Sequence, residues 1–149
     1  MADAASSGPA SFVMPLERGK IREFARATAS DAAAYLDDPN PPIPVTFLRT
    51  SVFWTPPSVG SVLGTLGLDL RRILHGEQEF EFVGAPPRAG EELTVTSALE
   101  SVTEKEGKRG GLMRFVVVRT DFCNADGTVR VRTRSTLIET GKAPAAASS

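Results

Sequence analysis

LHGEQEFEFVGAPPRAGEEL, residues Leu74–Leu93, is the stretch whose reading decides the fold. Glu77, Glu79 and Glu81 fall on one side of a two-residue period and Gln78, Phe80 and Phe82 on the other, so a half-buried strand is predicted here. Pro86-Pro87 and Gly90 then break the run and predict a turn before the next strand begins. Outward toward the C-terminus lie three further strand-like runs, Leu93–Thr103, Leu112–Cys123 and Thr128–Ile138, rich in β-branched and apolar residues. The polar, glycine-containing segments between them, Glu104–Gly111 and Asn124-Ala125-Asp126-Gly127, read as hairpin turns. The middle run, with Phe115-Val116-Val117-Val118 at its centre, is expected to be buried on both faces, a helix on one side and more protein on the other. The last run alternates Val129, Val131, Thr133, Ser135 and Leu137 against Arg130, Arg132 and Arg134.

Outward in the other direction, Val59, Val62, Leu63, Leu66 and Leu70 predict a helix with one apolar stripe. Gly60, Gly64 and Gly67 interrupt it, each at a cost of ~1 kcal/mol in helix propensity. Val45–Trp54, rich in β-branched and aromatic residues, reads as a short strand or an extended packed segment, and the Pro39–Pro44 cluster before it forbids a regular helix. Ser30–Leu36 predicts a short helix. From Pro15, Ile21, Phe24, Ala25 and Thr28 recur at helical spacing while Glu17, Arg18, Lys20, Arg22, Glu23 and Arg26 take the other positions, which predicts an amphipathic helix. Met1–Ser11 and Gly141–Ser149 hold too little apolar content to offset the entropy of ordering them and read as frayed tails. One domain over residues 12–140 remains, consistent with 149 residues of which 41% are hydrophobic.

A net charge of -1 offers no basic footprint for nucleic acid. Cys123 is the only cysteine, so no intrachain disulfide and no cysteine-based metal site is expected, in keeping with a reducing compartment. The N-terminus has no charged and apolar signal regions, and the longest apolar run, Phe115–Val118, falls far short of the ~20 residues of a spanning helix. A cytoplasmic protein, with no membrane segment and no bound metal, is expected.

The order of helix, extended piece, helix and four strands joined by short turns predicts an α+β domain with an antiparallel sheet. At this point three motifs carry a resemblance: PVTF at Pro44–Phe47, LHGEQEFEF at Leu74–Phe82 and PPRAGEEL at Pro86–Leu93. Together they resemble the MaoC-like dehydratases, in particular the N-terminal type of domain in fatty-acid-synthase-like and (3R)-hydroxyacyl dehydratases, from Met14 to Glu139. The resemblance implies a hot-dog fold, a sheet wrapped around a central helix, and an acyl thioester of coenzyme A or an acyl carrier protein as substrate, with no further cofactor.

Catalytic members of that family carry an Asp followed five residues later by a His, because moving water across a carbon next to an activated carbonyl needs proton transfer and a held water. In the matching segment, Ala29–Asp37, Ser30 stands at the Asp position and Tyr35 at the His position. A shift by one brings Asp31 into place but puts Leu36 where the His should be. No register restores the dyad. The sole histidine, His75, has Asp69 and Glu77 near it in sequence and could form an improvised acid/base site, or serve only as a structural hydrogen bonder. Tyr35, Thr46, Phe47, Trp54, His75 and Gly76 are the candidate substrate-binding residues, with Phe53 beside them; ordinary core packing is the alternative for the aromatics.

Arg130, Arg132 and Arg134 could bind coenzyme A phosphates or an acidic carrier protein, or form a solvated sheet face. In hot-dog sheets the strand after the helix lies beside the last strand, which would set Glu77, Glu79 and Glu81 opposite these arginines. The reading that follows is a subunit of an (R)-specific 3-hydroxyacyl-thioester dehydratase or enoyl-thioester hydratase, paired with a catalytic MaoC-like chain. A self-sufficient homodimeric hydratase or thioesterase using His75, and a non-catalytic acyl-thioester binding module, are the alternatives. The exposed edge at Leu74–Phe82 predicts an oligomer in each case.

Overall fold

The computed structural model describes residues 10–59, 62–107 and 111–141. The elements run β1 (Ser11–Pro15), α1 (Arg18–Ala27), α2 (Ala33–Leu36), 3-10 helices at Phe47–Phe53, Val62–Leu66 and Leu70–Arg72, then β2 (Ile73–Phe82), β3 (Glu92–Glu106), β4 (Leu112–Cys123) and β5 (Val129–Glu139). The strands form one antiparallel sheet in the order β1-β3-β4-β5-β2, which leaves β2 at an edge beside β5 as expected. The period-2 reading of β2 holds: Glu77, Glu79 and Glu81 are exposed, and Gln78, Phe80 and Phe82 are half-buried. The segments Met1–Pro9 and 142–149, Gly60 of the expected apolar helix, and residues 108–110 of the expected turn lie outside the described residues.

The chain divides into two compact units, the first made of Met1–Val59, Phe80–Thr96 and Asp121–Arg132, the second of Gly60–Glu79, Ser97–Thr120 and Thr133–Ser149. In the first, β1 pairs antiparallel with the start of β3, Met14 opposite Leu93 and Phe12 opposite Val95. This strand was not expected, because Ser11 reads as the end of a tail. Its identity comes from pairing, which buries Met14, Leu93 and Val95 completely. They join Leu16, Ile21, Ile43, Phe47, Leu48, Phe122 and Val131 in the core, with Phe24, Trp54, Phe80 and Phe82 packed against it. Burying each large apolar side chain of this set contributes roughly 1.5–3 kcal/mol against the entropy of folding.

The helix α1 presents Ile21 and Ala25 to that core at helical spacing. It ends in a Schellman arrangement: the Ser30 N–H donates to the Ala25 carbonyl at 2.8 Å and the Ala29 N–H to the Arg26 carbonyl at 3.0 Å. The residue in the left-handed position is Ala29, with φ 55. A Cβ there is unfavourable, so Ala29→Gly is expected to stabilise the fold by about 1 kcal/mol. A denaturation midpoint that fails to rise would show that the position is not strained.

Two sequence expectations are corrected. Val45–Trp54 is not a strand: Phe47–Phe53 is a 3-10 helix, because the Phe47 N–H donates to Pro44 and the Arg49 N–H to Thr46, local bonds that a ladder would have needed. Its burial follows a turn rather than an alternation, with Phe47 and Leu48 buried and Val52 and Phe53 exposed. The continuous helix expected over Val59–Leu70 is also absent. The chain makes separate 3-10 turns at Val62–Leu66 and Leu70–Arg72, since Gly67 adopts φ 60, which a helix cannot continue through, and Leu70 is exposed. The helix that packs against the core is therefore α1.

In the second unit, Gly76 on β2 allows close approach to β5: a Cβ there would meet Ile138 Cδ1 at 2.8 Å. The middle strand β4 is mostly half-buried in this chain, with Val116 and Phe122 fully enclosed. Of the two charged rows, Glu79 and Arg134 pair at 2.8 Å. Long guanidinium side chains also reach carboxylates outside β2. Arg130 binds Glu91 at 2.7 Å, Arg132 binds Asp121 at 2.6 Å, and Arg134 also takes Glu100 at 3.0 Å. Each of the three arginines is half-buried and ion-paired.

Candidate functional site

The strongest candidate is a cavity of about 490 Å³ in the first unit, lined by Glu17, Lys20, Glu23, Phe24 and Ala27 from α1 and its approach, and by Phe47, Thr50, Phe53 and Trp54 from the 3-10 helix and its end. Sequence chemistry places both walls. Pro44 starts the 3-10 turn, the Thr50 hydroxyl donates to the Phe47 carbonyl at 2.7 Å, and Trp54 closes the last turn onto Ser51. The proline segment before it is held by the PPRAGEEL loop. The Ile43 N–H donates to Pro87, the Ala89 N–H to Pro41, and the Arg88 guanidinium bridges the Asn40 carbonyl and the Asp38 carboxylate, at 2.8 and 2.6 Å. Glu91 in turn accepts from the Arg88 N–H and from Arg130, each at 2.7 Å.

The floor is aromatic. Phe24 and Phe47 meet edge to face, with ring centroids 5.5 Å apart. Phe53 is 83% exposed, a large apolar surface left open on the rim. Across from it Lys20 and Glu23 form an exposed pair at 3.1 Å. An apolar wall with a few charged groups at its mouth suits a ligand with an alkyl or acyl body and a polar head.

Of the residues singled out in sequence, Phe47, Trp54 and Phe53 meet in this cavity. Thr46 is exposed immediately before the 3-10 helix, and Tyr35 is half-buried on α2; neither lines it. Phe24 is the lining residue the sequence reading assigned only to a core stripe, and its aromatic ring on a helix flanked by charged residues is the signal that could have found it.

Ser30 and Tyr35, which stand where the dyad would, do no equivalent work. The Ser30 N–H caps α1 and its Oγ lies 3.5 Å from the Ala32 N–H, the long limit of a hydrogen bond. Asp31 is exposed and Leu36 half-buried. The second unit holds the other candidate set. His75 and Glu77 are exposed on β2, and Gly76 between them serves the approach to Ile138. The Asp69 carboxylate is committed to Arg71, at 3.0 and 3.1 Å, and to Arg72 at 3.5 Å. The Arg71 guanidinium and N–H hold it below the usual carboxylate range, which makes it a poor proton acceptor. Burial, reinforced by Asp121, pushes the Cys123 thiol up, so this sulfur is not an activated nucleophile.

Residues 8–134 match the family model described as FAS1-like, dehydratase domain region. The chain belongs to this family. Among its relatives, a UPF0336 protein of Streptomyces griseus subsp. griseus is 34% identical over 131 residues, 81% of this chain and 81% of that protein. UPF0336 protein SCO4636 of Streptomyces coelicolor is 39% identical over 100 residues, 60% of this chain and 64% of that protein, so the match spans just under two thirds of that relative. Among solved structures, the HadBC (3R-hydroxyacyl-ACP dehydratase) complex of Mycobacterium tuberculosis matches with a TM-score of 0.64 at 24% identity, over 89% of this chain and 98% of that chain. The ChsH1-ChsH2 complex of the same organism matches with a TM-score of 0.70 at 16% identity, over 95% and 89%. A MaoC-like dehydratase gives 0.70 at 20% identity, over 91% of this chain and 42% of its own. This dehydratase-region chain thus has the hot-dog fold of the MaoC-like dehydratases, as the three motifs implied.

Proposed function

We propose that the chain is the acyl-binding subunit of an (R)-specific 3-hydroxyacyl-thioester dehydratase or enoyl-thioester hydratase, working beside a MaoC-like partner that carries the Asp and His. The observation that carries this reading is the combination of an aromatic cavity with Ser30 and Tyr35 at the dyad positions. In this reading the chain supplies the pocket of a hydratase and its partner supplies the proton transfer. Two of the structures that share its fold are complexes by name, HadBC and ChsH1-ChsH2, which supports a paired arrangement. The edge strand β2, with Leu74 54% exposed, offers a surface for such pairing. The substrate is held as a thioester of coenzyme A or of a carrier protein, and no other cofactor enters the reading.

Trp54 is the only tryptophan in the chain and lines the cavity, so its fluorescence reports on that site directly. Titration of the purified chain with crotonyl and longer acyl thioesters is expected to change Trp54 emission saturably. Phe53→Ala should weaken the binding several-fold, about 1 kcal/mol, the low end of what apolar pocket contacts are worth, because Phe53 stays largely exposed. Emission that ignores every acyl thioester while the fold stays intact would remove the cavity from the reaction.

A further inference from the structure

The arginines on the last strand are committed to carboxylates, but a second arginine row is not. Arg18, Arg22 and Arg26 follow one another at four-residue spacing along α1. At about 100° per residue they occupy an arc of roughly 80°, a single stripe about 12 Å long. Arg18 and Arg26 are exposed and Arg22 is half-buried. Among the described residues none of the three has a salt-bridge partner, and the Nε of Arg22 is enclosed without an acceptor. Glu23, the nearest acid on the helix, is taken by Lys20. Arg22 and Arg26 border a surface hollow of about 320 Å³ together with Gly19 and Glu23. Gly19 is the second residue of the helix, and a Cβ on it would meet nothing within 4 Å. Among the described residues nothing packs against that glycine, which leaves room for a backbone to approach from outside.

On the same helix Lys20, Phe24 and Ala27 face the aromatic cavity, so the arginine stripe and the cavity flank the two sides of one exposed helical ridge. From this we infer that the outer face of α1 docks an acidic helix of the protein that carries the acyl thioester, the acyl group entering the Phe24 and Trp54 cavity from across the ridge. The inference rests on the acyl-binding reading above and adds the form in which the substrate arrives. The length of the row selects a protein helix over a nucleotide. Carboxylates one turn apart on a partner helix repeat at the spacing of the arginines, whereas a diphosphate would engage one or two of them. Gly19 leaves room for that helix to come close.

The test uses the full chain and two probes, a crotonyl-loaded acidic acyl carrier protein and crotonyl coenzyme A, with binding followed by calorimetry at low salt. Arg22→Glu/Arg26→Glu should weaken the carrier protein at least about fivefold while leaving crotonyl coenzyme A within about twofold. Added salt should shrink the difference. Arg22→Gln/Arg26→Gln, which avoids new negative charge beside Glu23, should show a smaller loss in the same direction. Carrier binding unchanged in both variants overturns the docking site and leaves the acyl-binding reading standing. Loss of crotonyl coenzyme A in step with the carrier shows a phosphate site and also overturns it. Failure of the unaltered chain to bind either probe overturns both readings.

Discussion

Mixed with a MaoC-like chain that retains the Asp and His, the protein is expected to support hydration of a crotonyl thioester that it does not carry out alone. The size of the effect follows from what the missing groups do: positioned acid and base contribute about 10²–10⁴ to rate. Ser30 caps a helix, Tyr35 stands at the other dyad position without lining the cavity, and Asp69 is tied to Arg71, so none of these three groups is placed to replace the dyad. In the mixture, Trp54→Ala should raise KM more than it lowers kcat if the cavity binds the acyl group, as proposed, and the partner moves the protons. His75→Ala should change neither. Turnover by the chain alone, lost in His75→Ala and kept in Ser30→Ala, would show a self-sufficient enzyme and end the subunit reading.

The sequence carried the sheet because β strands buried on one face must alternate, and from Glu77 through Phe82 and Val129 through Arg134 the alternation is written in charge. It carried α1 for the same reason at helical period. It could not carry β1, five residues whose strand identity depends on lying beside Glu92–Thr96. It also misread Val45–Trp54: aromatic and β-branched composition speaks of packing and not of backbone geometry, and here Pro44 and local i to i+3 bonds settle the geometry. The site was legible in part for a related reason. PVTF and Trp54 announce an apolar wall, but the opposing wall is the flank of an amphipathic helix, and a single sequence does not say whether Phe24 turns to the core or to a ligand. The charged rows show the limit of pairwise reasoning. Neighbouring strands were identified, yet arginine is long enough to choose a carboxylate on another strand or loop.

Glu139, at the end of β5, is a charged residue whose loss should cost stability without touching the proposed site. It is 4% exposed, and its carboxylate accepts from the Asp69 N–H at 2.9 Å, from Arg72 at 2.7 Å and from Arg114 at 3.2 Å. Arg72 also donates to the Thr140 carbonyl, so one cluster fastens the 3-10 turn at Leu70–Arg72 to the end of the last strand. Glu139 is covered by the groups that bind it, and its burial opposes their effect on its charge. The Asp69 N–H first, then the charges of Arg72 and Arg114, hold its pKa below the ordinary 4.5 against the opposing effect of burial. A carboxylate with a lowered folded-state pKa stabilises the fold fully above its unfolded value. That contribution is lost as pH falls through 4.5 toward the folded value. Glu139→Gln keeps the shape but removes the nearer counter-charge of Arg72 and Arg114, leaving them the more distant Asp69 and Glu104, and should cost about 2 kcal/mol at pH 7, the range for hydrogen bonds to charged groups. Measured from pH 7 to pH 3, the difference between the parent and Glu139→Gln should narrow, because protonation removes from the parent what the substitution removed already. A difference that stays constant across that range would mean that the carboxylate's charge does not hold this end of the sheet.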